Sequence, residues 1–321
     1  MSTGTSEKID LLIYGPRKPV VDNGFSERFV RHNFETKGDL DRLTPEIAEK
    51  IRGIAVTGLR PADKTVLSRF SKLEIVSSFG VGYDHVDSAY ARDHGIIVTN
   101  TPDVLTEEVA DTAVGLLISV LREFIKADRY LRSGLWTTQD YPLSVGSLRD
   151  RKVGMVGMGR IGQAMARRAV GFGMTVIYAG GHGEHRRVAL DELFREADVI
   201  SLHCPLTPET RHIVNARTLA LVKPSAILVN TARGECIDEA ALLDALAQRR
   251  IFGAGLDVFE GEPLVDARLR ADPRLVLAPH IGSATTEART SMAQLCADAV
   301  IAVLSGRRPT NLVNREVVLR G

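Results

Sequence analysis

The sequence predicts an α/β protein with two doubly wound domains, each built on a parallel sheet covered by helices. Three observations support this prediction. Strand-like and helix-like segments alternate along two separate stretches of the chain, and a glycine-rich turn lies near mid-chain. The 321 residues are also long for one ordinary domain, and the 44% hydrophobic content is enough to fill two cores.

The composition gives no reason to expect nucleic acid or an anionic membrane as a partner. The 41 Lys and Arg against 40 Asp and Glu leave a formal net charge of +1. No apolar run approaches the roughly 18 residues of a membrane-spanning helix, and Met1–Glu7 is unlike a signal peptide. Cys204, Cys236 and Cys296 have the spacing of neither a disulfide framework nor a zinc site. We expect a cytoplasmic protein without a bound metal.

The first hundred residues alternate between apolar runs and more polar, helix-compatible stretches. The predicted strands are Ile9–Tyr14, Ile51–Val56, Leu73–Ser77 and Gly95–Val98. The predicted helices are Thr44–Lys50, Ala62–Phe70 and Val86–Asp93. This alternation is typical of a parallel sheet with covering helices.

One long, heavily buried helix is predicted over Val104–Tyr130, where apolar residues recur at helical spacing without an internal proline. These residues are Val109, Ala113, Leu116, Leu117, Val120, Leu121 and Phe124. Such a helix either connects two domains or packs against a partner subunit. Its broad apolar face favours a homodimer, since a monomer has less use for it. An irregular connection is predicted over Arg132–Asp150.

The segment Lys152–Gly162 carries the sequence Gly-x-Gly-x-x-Gly between a predicted strand and a predicted helix. In a dinucleotide-binding turn the first glycine makes the bend, and the second lets the backbone approach the pyrophosphate. The third allows close packing of helix and strand. A second apolar run, Met174–Ala179, completes a βαβ unit of about 30 residues. We therefore expect a cofactor site that includes Gly157, Met158, Gly159, Arg160, Ile161 and Gly162.

A second alternating series begins at Arg151. Its predicted strands are Val153–Val156, Thr175–Tyr178, Val199–His203, Ala226–Asn230, Gly253–Val258 and Leu275–Ala278. Six strands with helical connections match a dinucleotide-binding sheet. Thr285–Leu304 is again helical in period and would return the chain to the first domain. We therefore expect one domain over 103–286, inserted into a discontinuous domain formed by 1–102 and 287–321.

The predicted second strand of this series ends at Gly180, where an NAD site usually has an acid that binds the ribose hydroxyls. Without that carboxylate, nothing at this position repels a 2′-phosphate. His182, Arg186 and Arg187 follow and are able to bind one. The sequence thus favours NADP(H), with NAD(H) possible, because a flexible glycine loop with solvated charges is also compatible with NAD.

Three side chains with complementary chemistry follow the later strands of the second series. Arg233 offers a planar fork that binds a carboxylate at two points and polarises the neighbouring carbonyl. His280 is able to deliver a proton to the carbonyl oxygen as hydride reaches the carbon. Glu262 would favour the imidazolium and fix its ring. Because the carboxyl ends of parallel strands share one edge, we expect this trio to act on a 2-keto acid.

These motifs together resemble the D-isomer-specific 2-hydroxyacid dehydrogenase family over nearly the whole length. The matching segments are Phe79–Asp84, Gly157–Gly162, Asn230–Gly234, Gly255–Glu260, Glu262–Pro263 and Pro279–Thr285. The resemblance implies a Rossmann cofactor domain inserted in a discontinuous flavodoxin-like substrate domain. It implies Arg233 as substrate binder, His280 as acid and base, and Glu262 as its partner.

The resemblance also implies contacts with substrate and cofactor. The backbone amides of Val81 and Gly82 would receive the substrate carboxylate, and Leu59 would form part of the pocket wall. Asp257 would contact the nicotinamide carboxamide. Further implied cofactor contacts are Cys204, Pro205, Thr210, Thr231, Ala232 and Ser283. In glyoxylate/hydroxypyruvate reductases of the family, a tryptophan near the position of Trp136 reaches the neighbouring subunit's site. The resemblance thus implies such a contact for Trp136, and simple packing is the alternative.

The segment Pro279–Thr285 looks more like glyoxylate/hydroxypyruvate reductases than D-lactate dehydrogenases. We therefore expect an NADPH-preferring reductase of glyoxylate and hydroxypyruvate, yielding D-2-hydroxy acids. Larger 2-keto acids of the hydroxyphenylpyruvate or 2-ketogluconate type are the alternative, since Leu59 and Val81–Tyr83 would admit a larger side chain. An NAD(H)-sensing, corepressor-like binding protein stays open, because such relatives keep Arg233, Glu262 and His280.

Overall fold

The computed structural model describes residues 8–17, 19–20, 25, 29–137, 139–144 and 146–319. The chain divides into two compact units, Met1–Leu105 with Thr285–Gly321, and Thr106–Ala284. Met1–Glu7, predicted not to be a signal peptide, lies outside the described residues. Among the helices that are described, none combines the length and hydropathy needed to cross a bilayer.

The strands are β1 (Ile9–Tyr14), β2 (Phe29–Phe34), β3 (Gly53–Val56), β4 (Ile75–Ser78), β5 (Ile97–Thr99), β6 (Lys152–Met158), β7 (Thr175–Gly181), β8 (Arg186–Arg187), β9 (Val199–Leu202), β10 (Ile227–Asn230), β11 (Gly253–Leu256) and β12 (Leu275–Leu277). The helices are α1 (Pro45–Ala48), α2 (Lys64–Leu67), α3 (Ser88–Asp93), α4 (Thr106–Leu121), α5 (Phe124–Arg132), α6 (Arg160–Gly171), α7 (Leu190–Glu196), α8 (Ala216–Leu219), α9 (Glu239–Ala247), α10 (Ala267–Ala271) and α11 (Thr286–Leu304). Short 3₁₀ helices cover Asp39–Arg42 and Gly234–Cys236.

The first unit is built on a five-stranded sheet with the order β2-β1-β3-β4-β5, and its strand pairs are parallel. This is the flavodoxin-like order. Helix α11 packs on this sheet, because a side chain at Gly53 would lie 3.4 Å from the Val300 side chain. Thr285 caps α11 by accepting a hydrogen bond from the Ala288 amide at 3.1 Å. The parallel α/β class predicted for this part of the chain is confirmed.

Strand β2 is not predicted by the sequence. Of its residues only Phe29 is buried, and the strand pairs only with β1 at the edge of the sheet. An edge strand with one buried residue has no apolar run, so hydrophobic periodicity does not reveal it. His32 Nε2 lies 2.7 Å from Asp10 Oδ1 across the β1–β2 pair.

The second unit is built on a seven-stranded sheet with the order β12-β11-β10-β9-β6-β7-β8, again with parallel pairs. The first six strands in chain order follow the dinucleotide-binding order 3-2-1-4-5-6, so the direction of winding reverses between β6 and β9. The Rossmann fold is confirmed. The prediction of six strands misses β8, whose two exposed arginines give no strand signal.

The prediction of one helix over Val104–Tyr130 is wrong. The helix ends at Leu121, and Glu123 adopts the left-handed conformation with φ +51° before α5 begins. The Glu123 amide donates to the Val120 carbonyl, which tightens the last turn. Helix α5 has no buried residue, and Phe124, placed in the apolar series, is 50% exposed. The hydrophobic core on which α4 packs therefore does not extend to α5.

The apolar face of α4 is used inside the second unit. Strand β11 has glycines beneath this helix: a side chain at Gly255 would lie 2.8 Å from Leu116, and one at Gly253 would lie 3.1 Å from Val120. The missing side chains let α4 approach the sheet closely. This face is thus unavailable to a partner subunit. The apolar face of α4 therefore does not support the predicted homodimer.

Candidate active site

The glycine-rich turn joins β6 to α6 where the winding of the sheet reverses. Gly157 has φ +98°, and a Cβ on it would lie 2.7 Å from the Cys204 amide nitrogen. A Cβ on Gly162 would overlap the Gly157 carbonyl oxygen. Only glycine therefore allows the bend and the close approach of α6. A Cβ on Gly159 would meet nothing within 4 Å, so the space above the middle of the turn is open.

The N-terminus of α6 suits an anionic ligand. Its N-cap residue is Gly159, which has no side chain to cap the first amides of the helix. The first intrahelical bond runs from the Gln163 amide to the Gly159 carbonyl at 2.9 Å. The preceding amides have no intrahelical acceptor, and the helix dipole adds positive potential there. The open cradle at Gly159 and these donors fit the diphosphate of a dinucleotide.

The end of β7 lies against the glycine-rich turn. Gly180 and Gly181 have φ +77° and +84°, and a Cβ on Gly181 would lie 2.9 Å from the Met158 backbone. Nothing lies within 4 Å of a Cβ on Gly180. The position where NAD sites have an acid is thus occupied by a glycine in the left-handed region, with open space beside it.

The two arginines of β8 differ in their surroundings. The Arg186 guanidinium makes ion pairs with Glu192 and Glu196, and Lys152 with Arg186 lowers the pKa of Glu196 to about 2. Arg187 is exposed and pairs in register with Tyr178. Because strand side chains alternate, Arg187 projects from the face opposite to Arg186. Arg186 is thus engaged by acids of α7 rather than available to a phosphate.

The loop after β9 lies beneath the glycine-rich turn. His203 Nε2 is 2.8 Å from Ser201 Oγ, and desolvation lowers the pKa of His203 to about 4. Further along, Thr210 Oγ1 donates to the Pro205 carbonyl at 2.6 Å. The loop that follows Cys204 is thus closed on itself. His203 is neutral near pH 7.

Asn230 shapes the turn that carries Arg233. The Asn230 side chain is buried, and its Nδ2 donates to the Arg233 carbonyl at 2.8 Å while its Oδ1 accepts from the Ala232 amide at 3.0 Å. Thr231 Oγ1 is buried and has no hydrogen-bond partner among the described residues. A Cβ on Gly234 would overlap the Phe259 carbonyl carbon, so the Arg233 turn contacts the loop after β11 directly.

Asp257 fixes the backbone that carries His280. It is 1% exposed, and its two carboxylate oxygens accept hydrogen bonds from the Ile281 and Gly282 amides, both at 2.7 Å. Its carbonyl accepts from the His280 amide at 2.8 Å. These bonds hold His280 at φ +53°, a conformation that costs a non-glycine residue free energy. Burial raises the pKa of Asp257, against the effect of the two amides.

His280 and Glu262 form a direct pair. His280 Nδ1 lies 2.5 Å from Glu262 Oε1. The other carboxylate oxygen, Oε2, accepts from the Phe259 amide at 3.4 Å, which helps to orient the carboxylate. The His280 side chain is 40% exposed and that of Glu262 is 17% exposed. With Nδ1 engaged by the carboxylate, Nε2 is the atom that remains to exchange a proton.

The loop that follows β4 in the first unit presents backbone amides. The Val81 carbonyl accepts from Asn100 Nδ2 at 2.8 Å, and the Gly80 carbonyl accepts from the Thr101 amide at 2.9 Å. In a planar trans peptide the N–H points opposite to the carbonyl. The Val81 and Gly82 amides therefore point away from these partners. Leu59 follows β3 in the same unit and is 37% exposed.

Comparison with known proteins assigns the chain to a family. The family model described as "D-isomer specific 2-hydroxyacid dehydrogenase, NAD binding domain" matches residues 114–282. A glyoxylate reductase from Thermococcus litoralis is 46% identical over 272 residues, which cover 80% of this chain and 81% of the relative. The chain belongs to the D-isomer specific 2-hydroxyacid dehydrogenase family. It is therefore an NAD(P)-dependent oxidoreductase.

Two reductases that match nearly the whole chain extend the comparison. The crystal structure of an NADPH-dependent glyoxylate/hydroxypyruvate reductase from Sinorhizobium meliloti, in complex with NADP and malonate, superimposes with a TM-score of 0.92. The two chains are 39% identical, and the match covers 98% of this chain and 99% of the other. A hydroxyphenylpyruvate reductase from Plectranthus scutellarioides is 38% identical over 306 residues, covering 94% of this chain and 97% of the relative.

The sequence does not reveal every residue that shapes this dehydrogenase site. It predicts Arg233, Glu262 and His280, which lie in the second unit after the adjacent strands β10, β11 and β12. It misses the roles of Asn230 and Glu239. Asn230 gives a weak signal, a polar residue at the end of an apolar strand. Glu239 gives none, although its Oε1 accepts from the Glu260 amide at 2.8 Å and so holds the loop before Glu262.

Proposed function

We propose that this chain reduces hydroxypyruvate to a D-2-hydroxy acid and glyoxylate to the achiral 2-hydroxy acid glycolate, with NADPH as the preferred cofactor. The observation that carries the proposal is the pair of His280 Nδ1 and Glu262 Oε1 at 2.5 Å, with Arg233 after the adjacent strand β10. This trio supplies the proton and the carboxylate-binding cation that reduction of a 2-keto acid requires.

In the proposed mechanism, a nicotinamide held by the second unit would supply the hydride for the carbonyl carbon of the substrate. Arg233 binds the substrate carboxylate and polarises the carbonyl. His280 donates the proton on Nε2 to the carbonyl oxygen and accepts it in the reverse direction. Glu262 stabilises the imidazolium through Nδ1. The amides of Val81 and Gly82 keep the carboxylate-binding role that the family resemblance gives them.

The cofactor is proposed to bind along the carboxyl edge of the second sheet. The turn Gly157–Gly162 would hold the diphosphate, and Cys204, Pro205 and Thr210 would lie along the dinucleotide. Thr231, Ala232, Asp257 and Ser283 would contact the nicotinamide half. Each carboxylate oxygen of Asp257 already accepts one backbone amide and keeps a lone pair for a further donor.

The preference for NADPH is supported by Gly180, which places no carboxylate against a 2′-phosphate, and by the Sinorhizobium meliloti relative, described as NADPH-dependent. His182 and Arg187 are the proposed phosphate ligands. Arg186 is dropped from this role because its guanidinium is paired with Glu192 and Glu196.

A second candidate substrate is a larger 2-keto acid of the hydroxyphenylpyruvate type. The Plectranthus scutellarioides relative, 38% identical over nearly the full length, bears that name. Leu59 and Tyr83, which are 37% and 40% exposed in the first unit, are the side chains on which this choice would depend.

A panel of 2-keto acids assayed with NADPH and with NADH tests the proposal. We expect the highest kcat/KM for glyoxylate or hydroxypyruvate, and a higher value with NADPH than with NADH. Higher kcat/KM for hydroxyphenylpyruvate would move the assignment to the second candidate. Equal or better turnover with NADH would contradict the cofactor preference.

We propose a homodimer formed through α5 and the segment that follows it. Five large apolar side chains there are 45–63% exposed: Phe124, Ile125, Leu131, Leu135 and Trp136. Beside α5 lies a cavity of about 740 Å³ whose lining includes Ile125, Lys126, Arg129 and Phe252. An exposed apolar surface of this kind is typical of an interface. Trp136 is thereby proposed as a partner contact.

We also propose a cytoplasmic location. Cys204, Cys236 and Cys296 are free and buried, and the sulfur atoms of Cys204 and Cys236 lie 3.9 Å apart without a bond. In an oxidising compartment two thiols this close would tend to form a disulfide, so free thiols favour a reducing compartment such as the cytoplasm.

A further inference from the structure

The loop of residues 182–185 follows β7 and is named the phosphate loop; it is held at two successive carbonyls. Gln163 Nε2, in the first turn of α6, donates to the His182 carbonyl at 3.1 Å and lies 3.4 Å from the Met158 carbonyl. Tyr178 OH donates to the Gly183 carbonyl at 3.2 Å. Tyr178 is 5% exposed, so the surrounding core fixes the position of its hydroxyl. Two side chains thus determine the orientation of two neighbouring peptide groups.

The same contacts determine where the donors of the phosphate loop point. In a planar trans peptide the N–H is opposite to the carbonyl, so the amides of Gly183 and Glu184 point away from Gln163 and Tyr178. Gly183 packs closely on the Met158 side chain, since a Cβ on it would lie 2.8 Å from Met158 Cγ. Two consecutive amides that point outward offer backbone donors to an anion.

The charges around the phosphate loop leave it receptive to an anion. Glu192 and Glu196 on the neighbouring helix α7 are paired with Arg186, and Glu196 also with Lys152. Glu184 is the only acid of the loop and is exposed. His182 in this loop and Arg187 in β8 are both exposed.

We propose that Gln163 and Tyr178 are positioning residues that set the cofactor preference, by orienting the phosphate loop so that its amides and His182 meet the 2′-phosphate. The inference rests on the proposed preference for NADPH and adds the residues that create it. Neither side chain needs to touch the phosphate. Both act through the carbonyls of His182 and Gly183.

The test compares ligands that differ only in the 2′-phosphate. Gln163→Leu, Tyr178→Phe and the double variant are titrated by calorimetry with adenosine 2′,5′-bisphosphate and with adenosine 5′-monophosphate. NADPH and NADH are titrated by nicotinamide fluorescence. Gln294→Leu is the matched control, because Gln294 is an exposed helical glutamine that donates to Asp298 in the first unit.

We expect each single variant to weaken binding of adenosine 2′,5′-bisphosphate and NADPH by about threefold to tenfold, the loss from one neutral hydrogen bond. The Kd values for adenosine 5′-monophosphate and NADH should stay within twofold of wild type. The control should match wild type for all four ligands.

The positioning role would be overturned if the variants lost as much affinity for adenosine 5′-monophosphate as for adenosine 2′,5′-bisphosphate, or as much for NADH as for NADPH. It would also be overturned if they lost affinity for none of these ligands. A wild-type protein that binds adenosine 2′,5′-bisphosphate no more tightly than adenosine 5′-monophosphate would instead refute the NADPH preference, before any substitution is made. If Tyr178→Phe does not fold, Gln163→Leu decides the question alone, because the Gln163 side chain is exposed.

Discussion

His280 Nδ1 lies 2.5 Å from Glu262 Oε1, and the loops that carry the two residues follow adjacent strands of one sheet. The contact engages Nδ1 with the Glu262 carboxylate, so Nε2 is the atom that exchanges the proton in the proposed mechanism. We therefore expect His280→Ala to reduce kcat by at least about 100-fold, the lower range for loss of a general acid. Cofactor Kd, measured by fluorescence titration, should change by less than twofold. Glu262→Gln should lower kcat by less than His280→Ala. Undiminished turnover in His280→Ala would refute the mechanism.

Asp257→Asn should destabilise the loop that positions His280. Both oxygens of Asp257 accept backbone amides, and an asparagine offers one acceptor and turns a donor toward the other amide. We expect a loss of about 1–3 kcal/mol in the free energy of unfolding, together with a lower kcat. Asp238→Asn is the control, since this N-cap residue of α9 uses one oxygen to accept the Ala241 amide and asparagine caps equally well. Urea unfolding of both variants checks the prediction. Equal stabilities would contradict it.

His203 should make the protein less stable in mild acid. Its pKa falls from 6.5 to about 4 on folding, so between these values the unfolded chain binds a proton that the folded protein does not. Unfolding is therefore favoured as the pH falls through this window, by at most about 3 kcal/mol at its lower end. His203→Gln should show a shallower loss of unfolding free energy between pH 7 and pH 4. Parallel curves for variant and wild type would contradict this assignment.

Gly180→Asp should reverse the cofactor preference. The new carboxylate would enter the open space beside the end of β7 and repel a 2′-phosphate. We expect kcat/KM with NADPH to fall about tenfold or more, with a smaller change for NADH. Gly180→Ala is the control, because it adds a side chain at φ +77° without a charge. Both variants should lose about 1 kcal/mol of stability. An equal drop in NADPH use in Gly180→Ala would attribute the effect to strain.

Leu131→Asp should dissociate the proposed dimer. Leu131 is 57% exposed on α5, so the substitution places a charge in the proposed interface without disturbing a core. Val318→Asp is the control, since Val318 is 77% exposed in the first unit. Sedimentation equilibrium should give a dimer for wild type and control, and a 35.0 kDa species for Leu131→Asp. A 35.0 kDa wild type would refute the dimer.

The sequence predicts buried elements and motif-bearing turns more reliably than exposed ones. Strands β1 and β10 are apolar runs because both faces of their sheets are covered, whereas β2 and β8 lie at sheet edges and have exposed residues that give no periodic signal. The break at Glu123 is invisible for a related reason. Apolar residues continue at helical spacing beyond Leu121, but the core beneath them does not.

For the site, the sequence identifies groups whose chemistry is visible in their type and misses groups that act through backbone contacts. Glu262 and His280 are recognisable as a carboxylate and an imidazole that follow neighbouring strands. Gln163 donates a hydrogen bond to the His182 carbonyl, and Glu239 accepts one from the Glu260 amide; each contact is with a loop that is distant in sequence. Such contacts depend on how loops of different strands meet, which residue type alone does not specify.

The overlap that any side chain at Gly234 would make with the Phe259 carbonyl joins two parts of the site that are far apart in sequence. The turn before Gly234 carries Arg233, the proposed substrate-binding cation, and the loop after Phe259 carries Glu262, the proposed partner of the proton donor. The two backbone segments therefore lie in close contact. We therefore expect a displacement of this backbone contact to change both the affinity for the keto acid and the rate of its protonation.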